Sequence, residues 1–228
     1  MLILFDIDGT LLRTDGTGVR AFVDGLVATH APTAWSLDGI SLAGQLDSRI
    51  LKSVCVAHGV EHDSSFESRF RTHYRTALCA ALERTAARPM PGMQDLVAAL
   101  RGRPDVSIGL LTGNYSDTGR IKVSSAGFNP DDFVVNAFAE DGAIRRDLTP
   151  AARERDTARR GRALRPDEVV VIGDTPDDVD CARHHGCRSL AVATGIFTQA
   201  QLAAAGASRS VTDCSDVGGI LDWIGVHP

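Results

Sequence analysis

Met1-Leu2-Ile3-Leu4-Phe5-Asp6-Ile7-Asp8-Gly9-Thr10 begins with an apolar run that stops at two carboxylates. A run so short and so rich in Leu and Ile fits a strand covered on both faces. Three later runs look alike: Val106 to Leu111, Val169 to Ile172 and Ser189 to Val192. Helical patterns lie between them, at Tyr115 to Ala126, Pro150 to Ala163 and Pro176 to His185. Alternating strand and helix predict an α/β fold in which crossover helices cover a parallel sheet.

From about Gly16 to Arg88 the alternation breaks. Val19 to Thr29, Ser48 to His58 and Ser65 to Thr85 read as helices, and no buried strand separates them. Ala87-Arg88-Pro89-Met90-Pro91-Gly92 then stops the last helix with two prolines and a glycine and reads as a hinge. The expected organisation is a Rossmann-like parallel sheet core, residues 1–15 and 89–228, with an inserted α-helical cap over 16–88.

Composition narrows the function classes. With 43% hydrophobic and 23% charged residues the chain can bury a core, which excludes a disordered or fibrous protein. A net charge of -5 gives no positive field for phosphate backbones or anionic lipid, so neither nucleic acid nor membrane is an expected partner. The apolar start has no basic flank and ends at Asp6, and no later run approaches the roughly 18 residues of a membrane span. Five cysteines without a Cys-x-x-Cys pair fit reduced thiols. A cytoplasmic protein is expected, monomer or homodimer.

Three of the strand-like runs end in polar clusters: Asp6-Ile7-Asp8-Gly9-Thr10, Thr112-Gly113-Asn114, and Gly173-Asp174-Thr175-Pro176-Asp177-Asp178. In open parallel sheets ligands bind outside the carboxyl ends of the strands, so the three clusters converge on one site. Asp6 and Asp8, two apart, share a side in extended chain, and Asp174 and Asp178 add further carboxylates. Carboxylates so crowded need a cation, and an oxygen-only set favours Mg2+. Thr112-Gly113-Asn114 reads as a helix N-cap, as an anion cradle at that helix N-terminus, or as both. Asp177 reads as a helix-capping acid.

The order and content of these clusters resemble the haloacid dehalogenase superfamily of aspartate-nucleophile phosphatases. Asp6-Ile7-Asp8-Gly9-Thr10-Leu11 is similar to its first motif, Leu111-Thr112-Gly113-Asn114 to its second, and Val171 to Val179 to its fourth. The resemblance implies that Asp6 forms an aspartyl-phosphate and that Asp8 is the acid and base. It implies Mg2+ on the Asp6 carboxylate, the Asp8 backbone carbonyl and Asp174, with Asp178 a water-mediated ligand or a neighbour of the ligands. Thr112, Gly113 and Asn114 would hold phosphoryl oxygens. The family's third motif is usually a lysine, which this chain lacks at that place; Arg145 or Arg146 is the expected substitute. Lys122 competes, but its position along a helix predicts a solvated face away from the strand ends. Asp at position 8 disfavours dehalogenation, and Lys52 is the one cap lysine that phosphonate cleavage could use.

The helical insertion resembles the mobile cap of phosphoglycolate phosphatase and β-phosphoglucomutase relatives. Gly44-Gln45-Leu46-Asp47-Ser48-Arg49 falls where those relatives carry a specificity loop, so Gln45 and Arg49 are candidate substrate contacts; the same stretch also reads as a plain turn with Asp47 as N-cap. The implied function is Mg2+-dependent hydrolysis of a small phosphorylated metabolite. A phosphomutase is the alternative, and a non-catalytic phosphate-ligand binding module is a third reading.

Overall fold

The structure, a computed structural model, describes residues 1–31 and 34–226. The opening run is β1 (Leu2–Phe5), followed by the short β2 (Leu12–Arg13). Three helices follow, α1 (Thr17–Thr29), α2 (Asp47–Ala57) and α3 (Ser64–Arg84), and the chain returns through β3 (Arg88–Pro89). After α4 (Met93–Leu100) come β4 (Ser107–Leu110), α5 (Ser116–Ser125), α6 (Leu148–Arg160), β5 (Val169–Gly173) and α7 (Pro176–His184). The chain finishes with β6 (Arg188–Val192), α8 (Gln199–Ala204), β7 (Arg209–Val211) and α9 (Val217–Ile224).

Five strands form a parallel sheet in the order β4-β1-β5-β6-β7. All four residues of β1 are buried, as a strand covered on both faces requires. In register, Phe5 lies between Leu110 of β4 and Ile172 of β5. Asp6, Leu111-Thr112 and Gly173-Asp174 therefore leave the sheet side by side at its carboxyl edge. β7, with only Arg-Ser-Val and no fully buried residue, carries no apolar run and gives no strand signal in the sequence. No helix among the described residues is long and apolar enough to cross a membrane.

Beyond β4, the segment 134–137 runs along the sheet edge without forming a regular strand, held by Val134 N–H to Ile108 O (3.0 Å) and Ala137 N–H to Leu110 O (2.7 Å). Gly109 makes this approach possible, because a Cβ there would collide with the Val135 carbonyl. Gly109→Ala is expected to cost about 3 kcal/mol through overpacking against backbone. In a chain of this size that lowers Tm by about 6–12 °C, measurable by calorimetry; an unchanged Tm would show that the edge segment yields freely.

The helical insert has its own packing. Phe22 of α1 meets Phe70 and Tyr74 of α3 edge-on, with ring centroids 4.7 and 5.3 Å apart. The chain enters and leaves the insert through one antiparallel ribbon, Leu12 opposite Pro89 and Arg13 opposite Arg88.

Candidate active site

Asp6 follows β1, Asp174 follows β5, and Asp178 lies in the first turn of α7. All three are buried, and one oxygen of each lies within 4.8 Å of the others. Thr10 donates its hydroxyl to Asp174 (2.9 Å). Asp178 is fixed by its role in the α7 capping box: Oδ2 accepts from the Thr175 N–H (3.1 Å) and hydroxyl (2.7 Å). Its other oxygen meets Arg145, which also pairs with Asp6 at 3.0 Å. Arg146, one residue on, turns outward to Asp180 (2.6 Å). Of the two arginines the sequence offered, the site contains Arg145.

One guanidinium cannot neutralise three buried carboxylates. Burial pushes Asp6 up to about 6 despite Arg145 beside it. Asp174 rises to about 8, through burial first and then through repulsion from Asp6 and Asp178. Burial opposes the charge on Arg145, but Asp178 and Asp6 outweigh it and hold the guanidinium above its ordinary range. An oxygen-only cluster with surplus negative charge has the donor set a hard divalent cation such as Mg2+ requires.

Asp8 has different partners. Its Oδ2 accepts from Lys122 Nζ (2.7 Å) and Asn114 Nδ2 (2.9 Å). Lys122 also donates to Asn114 Oδ1 (2.6 Å), and Asn114 Nδ2 to the Thr112 hydroxyl (2.8 Å). This corrects the expectation that Lys122 lies on a solvated face: the residue is 5% exposed and stands at the site. Burial would lower its pKa, but Asp8, with Tyr74 and Asp47 behind it, holds the ammonium above its ordinary range. The N-cap reading of the second cluster also gives way. The cap of α5 is Tyr115, without a side-chain bond, and Thr112 serves Asn114 instead.

The insert closes the site through backbone. Asp47 N–H donates to Gly113 O (2.7 Å), and a Cβ on Gly113 would strike the Gln45 carbonyl, so only glycine admits this approach. Asp47 is not the N-cap of α2, which is Leu46; its buried carboxylate accepts from Tyr115 N–H at 3.1 Å. Burial pushes Asp47 up to about 7, against the pull of Lys122. Between insert and sheet lies a cavity of about 300 Å³ that includes Asp6, Asp8, Gln45, Asp47, Thr112, Gly113, Asn114, Lys122, Arg145 and Asp174. Gln45 donates to Asp177 (3.2 Å); Asp177 stands in the first turn of α7, where its charge complements the helix dipole, but the N-cap itself is Thr175. Arg49 stays outside: its side chain is exposed and borders a separate, smaller pocket. Lys52 is likewise exposed and lines no part of the cavity.

Comparison with known proteins fits this arrangement. No protein of curated function matches the chain in sequence. Among solved structures, a hydrolase from Pseudomonas syringae is 24% identical with a TM-score of 0.72, over 98% of each chain. CbbY from Rhodobacter sphaeroides, solved in complex with phosphate, is 20% identical with a TM-score of 0.70, over 95% of this chain and 96% of that one. A mutant of CbbY has been solved with xylulose-(1,5)bisphosphate, at 19% identity, a TM-score of 0.70 and the same coverage. A protein from Haemophilus somnus described as a predicted phosphoglycolate phosphatase is 18% identical with a TM-score of 0.67, over 96% of both chains. These likenesses establish a shared fold. The sequence profile of the haloacid dehalogenase-like hydrolases matches residues 3–183, which takes in all three polar clusters, and the chain belongs to that family.

Proposed function

We propose that the protein is a phosphatase of small phosphomonoesters that works through an aspartyl-phosphate on Asp6. The observation that carries this reading is the presence of two carboxylates with separate partners on one cavity: Asp6 against Arg145, and Asp8 against Lys122 and Asn114. An Asp6 oxygen attacks phosphorus and the ester P–O bond breaks. Asp8 is placed to deliver a proton to the departing alkoxide. It then takes a proton from the water that cleaves the Asp6–phosphorus linkage and releases phosphate. Lys122 and Asn114 engage Oδ2 of Asp8, which leaves Oδ1 for proton exchange. Arg145 supplies positive charge beside Asp6 where phosphoryl oxygens gather, and Thr112 with the Gly113 and Asn114 amides would take further oxygens at the start of α5.

Asp6 and Asp174 would hold Mg2+, with the Asp8 main-chain carbonyl and with Asp178 close by, and the ion's charge would offset that of the phosphoryl group. A small metabolite suits the size of the cavity, and the phosphate and phosphorylated sugar in complexes of CbbY support that class of ligand.

Two measurements test this reading. Phosphate release from a panel of small esters should require Mg2+; release unaffected by chelation would overturn the metal assignment. The second is thermal. Because Asp6 and Asp174 have pKa values raised to about 6 and about 8, their contribution to stability is complete below about pH 4 and is lost as pH rises through those values. Mg2+ must displace those protons, so its stabilisation grows with pH. At a hundredfold excess over Kd it should reach about 2–3 kcal/mol, with a larger rise in Tm at pH 8 than at pH 5. Equal shifts at both pH values would show that these carboxylates are not the ligands.

A further inference from the structure

The chemistry of the cavity wall changes where the insert takes over. α1 contributes Val19 and Phe22, the loop after it Leu42, and α2 Ile50, so the wall is mostly apolar, its polar groups being Thr14, Gln45, Asp47 and the Tyr74 hydroxyl. Asp47 is the one charged side chain that the insert adds there among the described residues. The cations on the cavity, Lys122 and Arg145, both come from the core, and both are committed to carboxylates: Lys122 to Asp8, Arg145 to Asp6 and Asp178. Five carboxylates (Asp6, Asp8, Asp47, Asp174 and Asp178) thus stand against two cations. A phosphoryl group adds about two negative charges near neutral pH, which a divalent ion offsets. Among the described residues no further cation lines the cavity to offset a second anion, and on the insert side such an anion meets the Asp47 side chain.

Resting on the phosphatase reading, we propose that the substrate is the phosphomonoester of an uncharged, partly apolar alcohol, which lays its apolar face on Val19, Phe22, Leu42 and Ile50 and donates a hydroxyl to Asp47. Esters whose alcohol carries a carboxylate or a second phosphate are disfavoured. Phosphoglycolate and sugar bisphosphates both fall in that class, and with the latter the phosphomutase reaction. Specificity of this kind rests on an unpaired like charge as much as on attraction.

The test is isothermal titration of the Mg2+-loaded native protein with three phosphonates of equal chain length and no ester bond to cleave: propylphosphonate, 3-hydroxypropylphosphonate and 3-phosphonopropionate. The two compounds whose organic end is uncharged should bind at least tenfold more tightly than the carboxylate. Asp47→Asn should narrow that gap at least threefold. Equal or tighter binding of 3-phosphonopropionate overturns the proposal, as does failure of all three to bind. The comparison rests on the native protein, so it stands whether or not the variant folds. The reaction reading fails separately: if Asp6-dependent phosphate release is absent on every ester while the phosphonates without a carboxylate still bind better, the ligand class survives and the phosphatase assignment falls.

Discussion

Asp6→Asn should abolish phosphate release, by at least about 10⁴-fold, on the scale seen when a covalent nucleophile is removed. An amide of the same shape cannot form the acyl-phosphate, so the step has no substitute route. The fold should tolerate the change. Burial already disfavours the charged form of Asp6, and Arg145 keeps Asp178 as a partner when Asp6 is neutral. Rapid quench with labelled ester should trap phosphate on the native chain and none on the variant, while near-ultraviolet circular dichroism stays the same. Turnover that survives in the variant would move the nucleophile elsewhere.

Lys122→Met should lower kcat on alkyl phosphates by about 10²–10³-fold, the range supplied by a well-placed acid–base group. Lys122 pairs with Asp8 rather than with Asp6, and it holds the Asp8 carboxylate and the Asn114 amide in one geometry. Its loss therefore damages proton delivery to the leaving group. An aryl ester such as p-nitrophenyl phosphate needs no such proton, and its kcat should fall by less than about tenfold. A uniform loss on both kinds of ester would assign Lys122 to the phosphate site or to the fold.

How the sequence points to most of this site, and where it does not, has a physical explanation. Leu2–Phe5, residues 108–110 and Val169–Gly173 hold no charged or polar side chain because both faces of the sheet are covered, and each hands over to a polar cluster at its carboxyl end. That pattern needs no tertiary information. The sequence misplaces Lys122 because rise per residue carries it about 9 Å from the start of α5, whereas Cα–Cβ bonds in a helix lean toward its N-terminus and a lysine side chain covers the remaining distance. Arg145 and Arg146 look equivalent because neighbouring residues on a tight turn diverge, and only the fold shows which one faces inward. Asp47 reads as a cap because the contact that buries it, Asp47 N–H on Gly113 O, joins residues 66 positions apart.

The paired ribbon of Leu12–Arg13 and Arg88–Pro89 brings the two connections of the insert together. Asp6, Asp8, Thr112, Lys122, Arg145 and Asp174 all lie outside the 14–87 segment, whereas Val19, Phe22, Leu42 and Ile50 of the cavity wall lie inside it. On the proposed reading, selectivity and chemistry are thus separately heritable in this architecture. A lineage that exchanged the insert would change the cavity wall without rewriting the polar clusters at the ends of the sheet strands.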